Sequence, residues 1–489
     1  MTLIQNKYIA ILSFLTGFNN EKNRKVRYAV TGILFFLIFG FSFLIQMRKG
    51  YFDGKTDFDL TSLAGLHYAD YRVVSITAVI AMLLMVLLMT EKPLKPVKWN
   101  FYFVITWFLL CALIIIAGMS HDIGSGYIIT QIGIMFLIPA FSIIIENNDE
   151  RAGQLFDTIA VVMIISLAII TIMQMVIAPF DMSQIDQGNI VSERYLGLTR
   201  NPNRLGEYAN LGAIASFYLI YRKKGALKII ASITAGMCIA QSFMSVSRTS
   251  MLSISLVAVA WIIFNIKRKI DIKMAAVILL LIVASSVATY EITSHGTDPL
   301  NLRSDIQNEV TVYAQDDSSE HNSTISERLS EKANMDEFSS GRIAIWKMCV
   351  SKITWSGNDI TYSYPLRVLN SRGDGYSYVD LMHNTALEFA FRCGWPVGII
   401  IWGIELWALI FCLTVLFGKK ERVTDAKVFC VFGILVFLVA GNVEPINEAF
   451  VRLTLLIFYF SIIPLFSFAA DFDFIGFLKT KTHRVRKAD

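Results

Sequence analysis

Apolar residues in this chain come in long uninterrupted runs, not in the alternation of a half-buried strand or the one-sided period of a surface helix. A window of about 19 residues places spans near 29–46, 73–90, 101–118, 128–146, 157–177, 207–221, 229–246, 249–266, 274–291, 393–417, 427–441 and 450–469. Such runs approach or exceed the length needed to cross a hydrocarbon core about 30 Å thick, where only structures that satisfy their own backbone groups survive. The expected fold class is therefore an all-α polytopic membrane protein of about twelve transmembrane helices. No internal repeat or inverted pair of broken helices is evident, which argues against the commonest transporter plans.

Composition agrees with this reading: 55% of residues are hydrophobic, 17% are charged and the mean hydropathy is +0.54. The net charge of +5 matters mainly through where Lys and Arg lie. With a cytoplasmic N-terminus, the inner segments 1–27, 91–100, 147–156, 222–228, 267–273, 418–427 and 470–489 hold about 26 of the 44 Lys and Arg residues. That bias predicts an N-in/C-in topology and makes the basic clusters orientation signals. No basic arm with interleaved aromatics is present, so no nucleic-acid partner is expected. The six cysteines have no Cys-x-x-Cys spacing, and Cys111, Cys238, Cys412 and Cys430 fall inside apolar spans. The first 26 residues lack a short apolar core with a small-residue cleavage site, so no removable signal peptide is read and the first span serves as the insertion signal.

Three segments follow: helices one to nine over 1–291, a long outer loop over 292–382, and helices ten to twelve with a basic cytoplasmic tail over 383–489. Loops of that length are functional or disordered. The first half is polar, whereas "GRIAIWKMCVSKITW" reads as an amphipathic helix with Ile343, Trp346 and Val350 along one face. A partly mobile first half and a docked second half are expected.

The candidate chemistry lies where cations meet helix starts. In "LTRNPNRLGEYANLG", Arg200 and Arg204 flank the beginning of the sixth span, with Asn201 as cap and Pro202 in the first turn. A helix N-terminus already carries partial positive charge and unpaired N–H groups, so adjacent guanidiniums are unfavourable unless an anion joins them. The pattern recurs in "SVSRTS", where Ser247 caps a helix led by Arg248, and in "DLMHNTALEFAFRCGW", where His383 and Asn384 open the tenth span. All three helices run inward from the outer face, an arrangement suited to binding phosphates. The twelfth span offers a contrast: its lead-in "GNVEPINEAF" carries Glu444 and Glu448, as ordinary helix capping would.

The ordered motifs "TRNPNRLGEYA", "SVSRTSML", "SSGRIAIWK" and "MHNTALEFAFRCGWPVGI", spread over about residues 190–410, resemble the O-antigen ligase and Wzy polymerase superfamily. The stretch "ITWSGNDITYSYP" departs from that family's pattern after the loop tryptophan. The resemblance implies a GT-C-type glycosyltransferase of the bacterial cytoplasmic membrane, acting on its outer side without metal or other cofactor. Its donor, and in a polymerase its acceptor, is an undecaprenyl-diphosphate-linked oligosaccharide, and a chain-length regulator is a possible partner besides membrane lipid. Arg200, Arg248, Gly341-Arg342 and His383-Asn384 are the positions matched.

The residues suggest roles within that chemistry. Arg200 and Arg248, with Arg204, would neutralise charge developing on a leaving diphosphate. His383 is the candidate general base and Glu444 the reserve. Asn203, Arg342 and Asn384 complete the expected substrate contacts, and Trp346, Trp355, Tyr362 and Tyr364 are candidate sugar-stacking surface. The favoured function is a polymerase joining repeat units of a surface polysaccharide by a single inverting displacement. The alternative within the superfamily is a ligase transferring glycan to a lipid A core or other acceptor. Two further classes stay open: a metal-dependent oligosaccharyltransferase using Asp57 and Asp59, and a transporter or flippase, for which Glu405 is the clearest mid-bilayer charge.

Overall fold

The computed structural model describes residues 2–17, 19–46, 71–91, 93–121, 125–147, 149–177, 190–191, 194–199, 201–269, 272–295, 342–358, 366–369, 376–379, 382–418, 423–444, 446, 449–450 and 452–468. The helices among these are α1 (Thr2–Leu15), α2 (Arg24–Gln46), α3 (Tyr71–Met89), α4 (Phe101–Ser120), α5 (Ser125–Asn147), α6 (Asp149–Ile177), α7 (Pro202–Arg222), α8 (Ala226–Met244), α9 (Arg248–Arg268) and α10 (Ile272–His295). After the long loop come α11 (Arg342–Val350), α12 (Thr385–Cys393), α13 (Trp395–Phe417), α14 (Asp425–Ala440) and α15 (Leu453–Ser461), the last followed by a 3-10 turn over Ile463–Phe466. Two short antiparallel pairs accompany them: β1 (Ile190–Val191) with β2 (Arg194–Tyr195), and β3 (Leu366–Leu369) with β4 (Tyr376–Val379).

The chain is an all-α polytopic membrane protein. All twelve apolar runs fall on helices, and eight of these helices are long and apolar enough to span a bilayer. Outer helices keep apolar side chains exposed, as Leu279, Leu280, Val283 and Val287 of α10 show. In a bilayer such exposure carries no hydrophobic penalty. The centre is built differently. Helix α7 is buried along nearly its whole length, so its polar Glu207, Asn210 and Ser216 face protein. Interior burial explains why the sixth apolar run looked short.

Close helix contact depends on small residues, since hydrophobicity drives helices together weakly inside lipid. A side chain on Gly236 of α8 would lie 2.0 Å from Ser285 Oγ and 2.3 Å from the Ile282 carbonyl of α10. One on Gly206 of α7 would lie 2.9 Å from Ser250 Cβ and 3.0 Å from Ser247 Cβ. The start of α9 is thereby pressed against the first turns of α7.

Several expectations need correction. The segment before the first span is itself helical: α1 packs Tyr8 edge-on against Trp99 at 6.2 Å, and Asn19 beyond it donates to the Leu87 and Thr90 carbonyls. The tenth span is not opened by His383 and Asn384. They begin the separate helix α12, which ends at Gly394 (φ 94°), and α13 starts after that break. The twelfth span is not one helix but nine residues of α15 followed by the 3-10 turn that contains Pro464. In α11 the buried stripe runs through Ile345 and Cys349, not Ile343, Trp346 and Val350, and Val350 is 43% exposed. Indole Nε1 of Trp346 still anchors the helix by donating to the Met382 carbonyl at 2.8 Å.

Candidate active site

Four helix starts gather at one end of the bundle because polar side chains tie each to another. Asn201 caps α7 by accepting from the Asn203 amide at 2.8 Å, with Pro202 in the first turn. Ser247 caps α9, and Ser250 Oγ donates to the Gly206 carbonyl at 2.9 Å and meets Asn210 Oδ1 at 2.9 Å. Asn384 caps α12 through Leu387 N, while its amide donates to the Asn442 carbonyl at 3.2 Å. Thr385 Oγ1 donates to the Glu444 carbonyl and accepts from Ile446 N, both at 3.0 Å. These bonds stitch the start of α12 to the turn between α14 and α15. The fourth start is that of α15, where Arg452 stands at the cap position.

Two buried carboxylates organise the cations. Glu207 accepts from Arg452 Nε at 2.9 Å, makes a second bond to Arg452 Nη2, and accepts from Arg204 Nη1 at 3.2 Å. Glu444 accepts from Arg342 Nη2 at 2.7 Å and Asn203 Nδ2 at 3.1 Å. Behind Asn203, Arg194 of β2 donates to Asn203 Oδ1 at 2.6 Å and to the Ser245 carbonyl at 3.0 Å. Arg342 therefore brings the docked loop helix onto the same carboxylate that Asn203 holds from α7.

His383 faces this network. Its Nδ1 lies 3.9 Å from Glu444 Oε2, too long for a direct hydrogen bond, and its side chain is one-third exposed. Its backbone is left-handed (φ 48°), an uncommon state for a non-glycine residue that tends to recur at functional sites. Burial alone would raise the Glu444 carboxyl, but neighbouring His383 and the Arg342 and Arg204 guanidiniums outweigh it and hold the group below the usual carboxylate range. Glu444 is thus a counter-ion within the cluster, not the helix-capping glutamate expected from its sequence position.

The site is recessed. Helix α14 has 16 residues, about 24 Å of rise and short of a full hydrocarbon core. Just past its end, Asn442 Nδ2 reaches Glu405 Oε2 at 3.3 Å, and Glu405 sits in the middle of α13. Irregular backbone at such depth is tolerated where protein or a water-filled cavity surrounds it.

Of the predicted residues, Asn203, Arg204, Arg342, His383, Asn384 and Glu444 come together here. Arg248 opens α9, whose cap packs on Gly206, two residues from Arg204. Arg200, Gly341, Glu448, Tyr362, Tyr364 and the Asp57/Asp59 pair lie outside the described residues, and Trp355 is 75% exposed. Glu405 joins the cluster's edge through Asn442. Sequence reasoning passed over Arg194 and Arg452. The signal for Arg452 was present: another arginine immediately before an inward-running helix.

No curated protein matches the chain. Residues 233–402 match the family described as O-antigen ligase. That stretch contains Arg248, Arg342, His383 and Asn384, while Asn203, Arg204, Glu207, Glu444 and Arg452 fall on either side of it. The match over that third of the chain, together with the all-helical membrane fold, supports membership of the O-antigen ligase and Wzy superfamily.

Proposed function

We propose that the protein is a polysaccharide polymerase that joins undecaprenyl-diphosphate-linked repeat units on the outer face of a bacterial cytoplasmic membrane. The observation that carries this reading is the gathering of cations in the recess: among the described residues, Arg204 and Arg452 bond to Glu207, Arg342 bonds to Glu444, and Arg194 donates to Asn203, which itself bonds to Glu444. A diphosphate joining lipid to sugar carries two negative charges. Guanidiniums clustered beside four helix N-termini suit that group, and suit the still more charged lipid diphosphate that leaves.

The reaction is one displacement. An acceptor sugar hydroxyl attacks the anomeric carbon, the bond from that carbon to the diphosphate oxygen breaks, and the linkage inverts. The hydroxyl proton passes to the imidazole of His383, with Glu444 facing the ring and stabilising the imidazolium. Arg204, Arg248 and Arg200 take the developing phosphate charge, while Arg342 closes the loop helix over the substrate. Asn203 and Asn384 hold the frame. A defined lipid-diphosphate repeat unit incubated with purified protein in liposomes tests this: a product ladder on a gel is expected. A single transfer to a second lipid acceptor would instead identify a ligase, and no glycan transfer under conditions that move the intact lipid across the bilayer would identify a flippase.

A further inference from the structure

At the opposite end of the bundle a cavity of about 420 Å³ is lined by the cations Arg222, Lys267 and Arg268, the carboxylates Glu150 and Asp425, and Tyr221, Phe264, Val423 and Thr424. It sits where α7 and α9 end and α14 begins, next to the C-terminal carbonyls of α13. The positive-inside pattern puts this end at the cytoplasmic leaflet.

Its cations are not equivalent. Arg222 is neutralised by Asp425 and, at 3.4 Å, by Asp157. Lys267 spends its ammonium on the Val415 and Gly418 carbonyls at 3.2 and 2.8 Å. Arg268 donates Nη1 to the Tyr221 carbonyl at 2.8 Å and lies over the Tyr221 ring at 4.5 Å. Among the described residues neither Lys267 nor Arg268 has a carboxylate within ion-pair distance. Two positive charges thus face a cavity at headgroup depth. Stacking on Tyr221 holds one guanidinium so that most of its N–H groups remain available.

We infer that this cavity is a binding site for a phosphodiester anion, supplied by the headgroup of an anionic glycerophospholipid of that leaflet. Lys267 and Arg268 would hold the phosphate oxygens, Tyr221 and Thr424 would flank the glycerol, and Phe264 and Val423 would meet the first methylenes of the acyl chains. Such a lipid bridges the ends of α7, α9, α13 and α14, far from the arginine recess. The site therefore stands apart from the transfer reaction.

Native mass spectrometry of the full-length protein, delipidated and then titrated with phosphatidylglycerol or zwitterionic phosphatidylcholine, tests the assignment. Phosphatidylglycerol should be retained preferentially, and Arg268→Ala should weaken retention by roughly fivefold, as expected for one basic residue near a lipid phosphate, with Lys224→Ala unchanged as an exposed control. Because Lys267 also braces α13, Lys267→Met is read only beside Arg268→Lys, which keeps charge and loses the planar fork. Arg268→Lys should fall between wild type and Arg268→Ala. Equal retention of the two lipids, or unchanged retention in Arg268→Ala, would overturn the site. Displacement of the lipid by millimolar inorganic phosphate would assign the cavity to a free ion and overturn the lipid reading.

Discussion

Glu207 and Glu444 divide the arginines between them, which gives single substitutions distinct expected effects. Arg248→Ala or Arg204→Ala should lower glycan transfer by on the order of a hundredfold, as removal of one preorganised charge-stabilising group does. Lys223→Ala, whose ammonium pairs with Asp157 at the far end, should leave the rate within a small factor of wild type. Equal losses in rate measurements would sink the anion-site reading. Glu444 adds a pH dependence whose sign follows from its lowered carboxyl. Its favourable contribution is complete above the unfolded-state value near 4.3 and disappears as pH falls through the lower folded-state value. Glu444→Gln should therefore flatten the acid limb of a thermal-stability profile below about pH 4, while wild type keeps it.

At the scale of elements, the recess depends on two packed contacts. Gly206 lets the α9 cap lie on α7, so Gly206→Val should push Arg248 away from Arg204, lowering transfer while the protein remains membrane-inserted. A cysteine pair reporting the α7–α9 separation by crosslinking would detect the displacement directly. Elements were legible in the sequence because apolar length and helix capping are local: all twelve runs became helices, and the Asn201, Ser247 and Asn384 caps formed as their residue types suggest. Pairings across the bundle were not legible. Glu207 and Arg452 are 245 residues apart, and nothing local distinguishes their clasp from two conventional surface charges. Arg194 was hidden similarly, since a two-residue strand has no usable period. The break at Gly394 escaped because an apolar window spans a tight turn as readily as a helix.

For the molecule as a whole, the two ends use charge differently. At the predicted inner end, Glu91 is surrounded by Arg24, Arg27 and Arg151, joining α2, the α3–α4 connection and α6. Burial would raise its carboxyl, but bonds from Arg24 and Arg27 and the charge of Arg151 lower it. Carboxylate and guanidiniums form a structural clamp there. Glu91→Ala would strand Arg27, whose side chain is 4% exposed, and should cost roughly 3–5 kcal/mol. A thermal midpoint unchanged from wild type would rule out the clamp. At the other end Glu207, Glu444 and Asn203 gather the arginines into one network, and the family match covers only part of it.

The short reach of α14 bears on how a substrate anchored in lipid is handled. Each methylene drawn from hydrocarbon into water costs about 0.8 kcal/mol, so raising an isoprenoid anchor to a reaction centre above the headgroups would be expensive. On the proposed reaction, a site set level with the middle of α13 spares that withdrawal, and draws the hydrophilic sugar downward instead. Donors with a slender sugar next to the pyrophosphate should consequently turn over faster than those branched at that position, whatever lies farther along the glycan.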